Sequence, residues 1–445
     1  MKYLPLSPKD KREMLDFIGV PQLDDLFESI PRDLRFTSSL EIPSARSEME
    51  IHQFFGDLAD QNHRYRSRFL GGGAYYHFIP VVVDSLSQRQ EFLTSYTPYQ
   101  PEISQGTLQY LFEFQTMFCS LTGLEVSNAS MYDGASATAE AVLMALRLQK
   151  NRKRILFSAA IHPFYLEVTK TYCSNLDLTL EVVPAQDNAT DMAALEKALG
   201  PDVAAVVVGY PNFFGKVEPL ADISKLAKQH GSLLVTTTQE ALSLALLPSP
   251  GSFDVDMAVG EAQSFGVPVQ FGGPYLGFFT CRDEHKRQMP GRICGMTKDR
   301  NDKRCFVLTL NAREQHIRRA KATSNICSNQ GLCALRATIY LSCMGKHGLR
   351  ELAEQNHAKS EYLKAGLRKI QSLTVDDGPH FNEFVVRFNK PVAPLLADLR
   401  QKGILAGLDL SRLVPGRTHE VLLAVTELNS KEQIDQLVQA VERLV

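Results

Sequence analysis

Between residues 155 and 279 the chain alternates short apolar runs of strand length with helix-length segments, and this alternation narrows its fold more than any other feature. The runs are Ile155-Leu156-Phe157, Leu180 to Val183, Ala204 to Val208, Leu233 to Thr236, Met257 to Val259 and Leu276 to Phe279. Met192 to Leu199 and Leu220 to Gln229 read as helices between them. Strands separated by helices predict a mostly parallel sheet covered on both faces.

The flanks read differently. Ser7-Pro8 starts a helix that Gly19 and Pro21 stop, and a second helix is expected after Pro43-Ser44. In it Ile51, Phe54, Phe55 and Leu58 share one apolar stripe. Residues from Asn325 to Cys343 form a long helical pattern. Beyond it Phe384 to Phe388 and Val421 to Val425 read as strands, and Lys431 to Val445 as a closing helix. With 445 residues, two or three structural units are expected. We divide them as a helical arm at 1–65, a large α/β domain at 66–325 and a small C-terminal α+β domain at 326–445. That arrangement is the α/β fold of PLP-dependent (pyridoxal-phosphate-dependent) transferases of the aspartate aminotransferase type. Architecture alone does not establish chemistry.

Composition excludes several classes. Lys+Arg total 48 and Asp+Glu 50, a net charge of −2, which gives no reason to expect nucleic acid or an anionic membrane as a partner. No apolar run approaches the ~20 residues of a spanning helix. The N-terminus lacks the apolar core and cleavage site of a signal peptide, so a cytoplasmic protein is expected. The eight cysteines contain no C-x-x-C pair, so reduced thiols are expected and a zinc site is not.

Three segments carry candidate chemistry. Gly134-Ala135-Ser136, after Tyr132-Asp133, opens an Ala-rich helix whose backbone N–H groups and hydroxyl suit a phosphate; the bland alternative is a tight helix start needing small residues. Gly260 to Pro268, followed by Phe271-Gly272-Gly273-Pro274, is a shaped loop where a PLP enzyme would place its Schiff-base lysine, yet no lysine lies between Lys228 and Lys286. The basic stretch Ala312 to Lys321 suits a carboxylate or phosphate, or is simply a solvated helix face.

The chain resembles a known family at Tyr96-Thr97-Pro98-Tyr99-Gln100-Pro101-Glu102-Ile103-Ser104-Gln105-Gly106-Thr107. The likeness continues at Gln263-Ser264-Phe265-Gly266-Val267-Pro268, at Arg313-Glu314-Gln315-His316-Ile317-Arg318-Arg319 and at Lys321-Ala322-Thr323-Ser324-Asn325-Ile326-Cys327. These are similar to the glycine-cleavage-system P-protein, glycine dehydrogenase (decarboxylating), and specifically to the N-terminal of that family's two similar halves, subunit 1. The C-terminal half carries the PLP lysine. Here Gln263 stands at the expected lysine position, and the strand expected to bear an acid for the pyridine nitrogen reads Val235-Thr236-Thr237-Thr238-Gln239, with Glu240 nearby but out of register.

The resemblance implies a glycine catabolic oxidoreductase complex, a dimer of heterodimers, in which the PLP-carrying subunit 2 holds the cofactor. Glycine loses CO₂ there, and the aminomethyl group passes to the lipoyl group of H-protein; T-protein and L-protein complete the system. This subunit would complete its partner's pocket with Tyr96, Tyr99, Gln100, Glu102 and Ser104, Gly134, Ala135 and Ser136 would remain as a vestigial phosphate cradle, and His77 is a weaker candidate, more often a structural histidine. Two alternatives stay open: a catalytically silent partner whose loop only packs, and a stand-alone PLP enzyme using another lysine such as Lys216.

Overall fold

A computed structural model of the chain describes residues 5–36, 38–93, 96–270 and 272–445. Phe271 and the side chain of His316, both named above, lie outside the described residues, as do Thr94 and Ser95, which precede Tyr96. The chain divides into two compact units, Met1–His63 and Arg64–Val445.

The first unit carries α1 (Pro8–Ile18) and α2 (Glu48–Asp60). Ser7 caps α1 in a reciprocal box with Asp10, and Gly19 ends it in the left-handed region at φ +84°. The second helix starts later than Pro43-Ser44 suggests. Ser47 and Glu50 form their own capping box, with Glu50 accepting from the Ser47 N–H at 2.7 Å, and this fixes the start at Glu48.

The second unit is built on a seven-stranded sheet. Its strands are β1 (Val126–Ser127), β2 (Arg154–Ser158), β3 (Thr179–Val183), β4 (Val203–Gly209), β5 (Leu233–Thr238), β6 (Met257–Glu261) and β7 (Gly277–Cys281), in the order β1-β7-β6-β5-β4-β2-β3. Strands β2 to β6 pair in parallel, and β7 runs antiparallel to both of its neighbours. Every residue of β4, β5 and β6 is buried, as central strands covered on both faces must be. The helices α3 (Gln105–Thr122) and α4 (Gly134–Leu148) pack on this sheet, and the hairpin β8 (Ile293–Lys298) and β9 (Arg304–Thr309) lies against α3.

The long helix α5 runs from Gly331 to Leu367 with a kink at Gly345, whose φ is +60°. It begins later than the helical pattern from Asn325 suggests. The backbone of that entry is already engaged: Cys327 N–H donates to the Tyr132 hydroxyl at 3.2 Å and Gln330 N–H to Ser130 Oγ at 3.1 Å. A four-stranded antiparallel sheet follows, ordered β10 (Leu373–Val375), β11 (Glu383–Phe388), β13 (Glu420–Ala424) and β12 (Leu408–Asp409). Leu363, Val386, Leu399 and Leu437 are buried together in its apolar core. No helix among the described residues is long and apolar enough to cross a membrane.

Candidate functional site

Gln263 lies two residues past the end of β6 and is buried. Its side-chain amide is used at both ends. Oε1 accepts from the Tyr75 N–H at 3.0 Å, and Nε2 donates to the Val267 carbonyl at 2.6 Å. The amide therefore ties the loop after β6 to the segment around Tyr75. An amide nitrogen cannot form an imine, and here it is also committed elsewhere.

The expected phosphate cradle has an internal occupant. Gly134 N–H, at the first turn of α4, donates to Glu261 Oε2 at 3.0 Å, and Glu261 Oε1 accepts from the Gln263 and Leu276 N–H groups at 3.1 and 2.9 Å. A carboxylate thus sits where the helix N-terminus favours an anion. Burial raises the Glu261 carboxyl to about 7 against the pull of these amide donors. Ser136 turns back on the helix: its N–H donates to Asp133 Oδ1 at 2.7 Å and its hydroxyl accepts from the Asp133 N–H at 3.2 Å. Gly134 is required sterically, because a Cβ there would lie 2.1 Å from the Tyr165 hydroxyl.

At the end of β5, Thr238 donates to the Tyr210 carbonyl at 2.9 Å, and Thr236 and Thr237 are likewise buried without a carboxylate in that stretch. A lysine amine, a free anion cradle and an acid for the pyridine nitrogen are what PLP needs. This position supplies none of the three, so the residues present do not fit the cofactor. Lys216, the other lysine considered, pairs with Asp376 at 3.0 Å.

Beside this closed position lies a buried charged network that sequence reasoning largely missed. His77 sits between two carboxylates, with Nε2 2.9 Å from Glu240 and Nδ1 2.8 Å from Glu427, and its side chain is 2% exposed. Burial alone would lower the imidazole, but the charges and hydrogen bonds of Glu240 and Glu427 raise it to about 10. Burial would raise Glu427, and His77 instead draws it down to about 2. Asn356 on α5 donates to Glu427 at 3.1 Å. Glu383 accepts from the Tyr75 hydroxyl at 2.9 Å and the Gly72 N–H at 2.7 Å, and burial lifts it to about 8. The partners come from β11, from the turn after β13, from α5 and from the stretch after β5. No local motif joins residues so far apart in sequence.

The segment Tyr96 to Ser104 is the opposite kind of structure. Tyr96 and Tyr99 are 79% and 72% exposed, with ring centroids 6.4 Å apart, and Gln100 and Glu102 are also exposed. Ser104 closes the segment at the start of α3, its N–H donating to the Gln100 carbonyl at 3.1 Å. The structure therefore gathers Tyr96, Tyr99, Gln100, Glu102 and Ser104 on one surface loop. A recess of about 330 Å³ lies behind Tyr96 and Pro98, walled by Tyr110, Leu111 and Leu332. A larger cavity of about 610 Å³ lies elsewhere, beside Phe214, Arg387 and Arg417, and Glu420 already pairs with both arginines.

The basic stretch departs from the solvated-face reading at Arg313. That side chain is buried and donates to the carbonyls of Leu310 at 3.2 Å, Gly291 at 3.1 Å and Met289.

Comparison with known proteins places these features in a family. The family model for the glycine cleavage system P-protein matches residues 1–441. A probable glycine dehydrogenase (decarboxylating) subunit 1 from Geobacillus thermodenitrificans is 50% identical over 439 residues, 98% of each chain. The Bacillus subtilis protein of the same description is 48% identical over 441 residues, again 98% of each chain. The crystal structure of a glycine decarboxylase (P-protein) of the glycine cleavage system, in inhibitor-bound form, superposes with a TM-score of 0.88 at 39% identity and full coverage of both chains. A sphingosine-1-phosphate lyase from Burkholderia pseudomallei, at 14% identity and TM-score 0.66 over 93% of this chain and 94% of that one, shares the fold alone. The PLP-dependent transferase fold and the match along nearly the whole chain place this protein in the glycine cleavage system P-protein family.

Proposed function

We propose that this chain is the subunit of glycine decarboxylase that binds no cofactor covalently and completes the active site of a PLP-carrying partner subunit. The observation that carries this reading is the closed position around Gln263, where a committed amide replaces the lysine and Glu261 fills the anion cradle. In the system's reaction glycine loses its carboxylate as CO₂ and the aminomethyl group passes to the lipoyl group of H-protein. The tyrosine hydroxyls of Tyr96 and Tyr99 and the amide of Gln100 orient the substrate at the partner's cofactor. The Glu102 carboxylate holds or moves a proton, and the loop as a whole excludes water. Ser104 fixes the loop where it joins α3.

The test is release of CO₂ from carboxyl-labelled glycine by the purified subunits, alone and mixed, with H-protein supplied. Only the mixture should release CO₂ at the full rate. Full release by the partner subunit without this chain would overturn the reading. The exposure of Tyr96, Tyr99 and Ile103 also suits a second reading, in which the loop only packs against the partner. In that case replacing both tyrosines by phenylalanine leaves turnover intact.

A further inference from the structure

The loop Tyr96 to Ser104 is held at both ends from one side, by the hairpin β8–β9 and the residue that leads into it. At its far end Gln105 works as a staple. Its Nε2 donates to the Pro101 carbonyl at 2.6 Å and to the Phe306 carbonyl on β9 at 2.9 Å, and its Oε1 accepts from the Phe306 N–H at 2.8 Å. At its near end the Arg292 guanidinium, one residue before β8, donates from Nη1 to the Thr97 hydroxyl. Tyr99 stands exposed between these two anchors and Tyr96 directly before the first, with the Tyr99 N–H donating within the loop to the Thr97 carbonyl at 2.9 Å.

Arg292 is an unusual anchor. It is 9% exposed, and among the described residues no carboxylate pairs with it and its Nε has no acceptor. A guanidinium buried without a counter-ion is costly, and evolution has cheaper ways to pin a loop. Its rigid fork fixes direction as well as distance, which a lysine would not.

We propose that Arg292 is a positioning residue for the decarboxylation: through Thr97 it sets the place of Tyr96 and Tyr99 in the shared pocket. This rests on the reading of the loop as a pocket wall. The hairpin, with Phe306 on it and Arg292 leading into it, is the loop's platform.

The experiment uses the assembled complex with Arg292→Gln, Arg292→Lys, Thr97→Val and the double variant Arg292→Gln/Thr97→Val. Displacing reacting groups by about 1 Å costs rates on the order of tenfold to a hundredfold. Arg292→Gln should lower kcat by about tenfold or more while KM for glycine moves less than about twofold, the signature of lost positioning and not of lost substrate binding. Thr97→Val should fall in the same direction, and the double variant should be no worse than Arg292→Gln alone. Arg292→Lys should recover only part of the loss. Additive losses in the double variant, or kcat unchanged in both single variants, would overturn the proposal. Amide exchange across 96–104 in the isolated subunit separates the two claims. Faster exchange in Arg292→Gln with unchanged turnover leaves the anchor standing but sinks the pocket-wall reading and with it the catalytic role of Arg292. Unchanged exchange overturns the anchor itself.

Discussion

The closed position around Gln263 and the open loop around Tyr96 are opposite solutions to the use of polar side chains. At Gln263 and Glu261 every principal polar atom is buried and bonded within the chain. At Tyr96 and Tyr99 exposed aromatic rings stand on a loop anchored at Thr97 and at Gln105. Buried polar groups that satisfy one another specify and stabilise a fold but leave nothing for a ligand. Exposed aromatics on an anchored loop cost stability in isolation and are favourable only against a second surface. On the function proposed above, the contrast is between a closed cofactor position and a surface kept for a partner subunit.

The contrast can be broken by variants that affect stability and turnover separately. The largest stability effect is expected at His77. Replacing it by alanine leaves Glu240 and Glu427 as unpaired buried charges, which should cost about 3–5 kcal/mol in denaturant unfolding. A loss under 1 kcal/mol, roughly the value of a surface ion pair, would show that the network is solvated. In the loop, Tyr96→Phe/Tyr99→Phe should leave unfolding unchanged and lower turnover by about a hundredfold, the lower end of a lost proton-transfer or orienting group. A fall in stability with no loss of turnover would reverse the roles assigned to the two regions. Gly134→Ala pushes a methyl into the Tyr165 hydroxyl and should destabilise by about 1–3 kcal/mol.

The smallest effect is pH-dependent. His77 has a folded value of about 10 against 6.5, so its contribution is complete below 6.5 and lost as the pH rises through 10. Glu427, at about 2 against 4.5, contributes fully above 4.5 and loses that contribution as the pH falls through 2. Glu383, raised to about 8, has a burial penalty that is absent below 4.5 and complete above 8. Together these place the stability maximum at about 4.5, with a decline from there toward 10 that is steepest where Glu383 and His77 both titrate. Thermal melts across that range should show the decline, and His77→Gln should make it shallower above 6.5. An unchanged slope in that variant would remove His77 from the account.

Much of the fold was legible because its cause is local. Every strand expected in the parallel sheet is present, since apolar runs such as Val203–Gly209 have no other stable environment. Helix starts were less legible. Ser47 and Glu50 displaced one, and the hydroxyls of Tyr132 and Ser130 another, through contacts that periodicity does not register. The absence of a lysine between 228 and 286 was plain in the sequence, whereas the filling of the cradle by Glu261 was not. Glu261 closes β6, and only the fold brings it to Gly134. His77 showed the same limit: the chain offers a lone histidine, and its meaning lies in two glutamates far along the sequence.

Borohydride reduction of the assembled complex with PLP, followed by peptide mass mapping of both subunits, tests the division of labour most directly. The account requires a pyridoxyl-lysine on the partner subunit and none on this chain. A stoichiometric pyridoxyl-lysine on any lysine of this chain, Lys216 included, would contradict it.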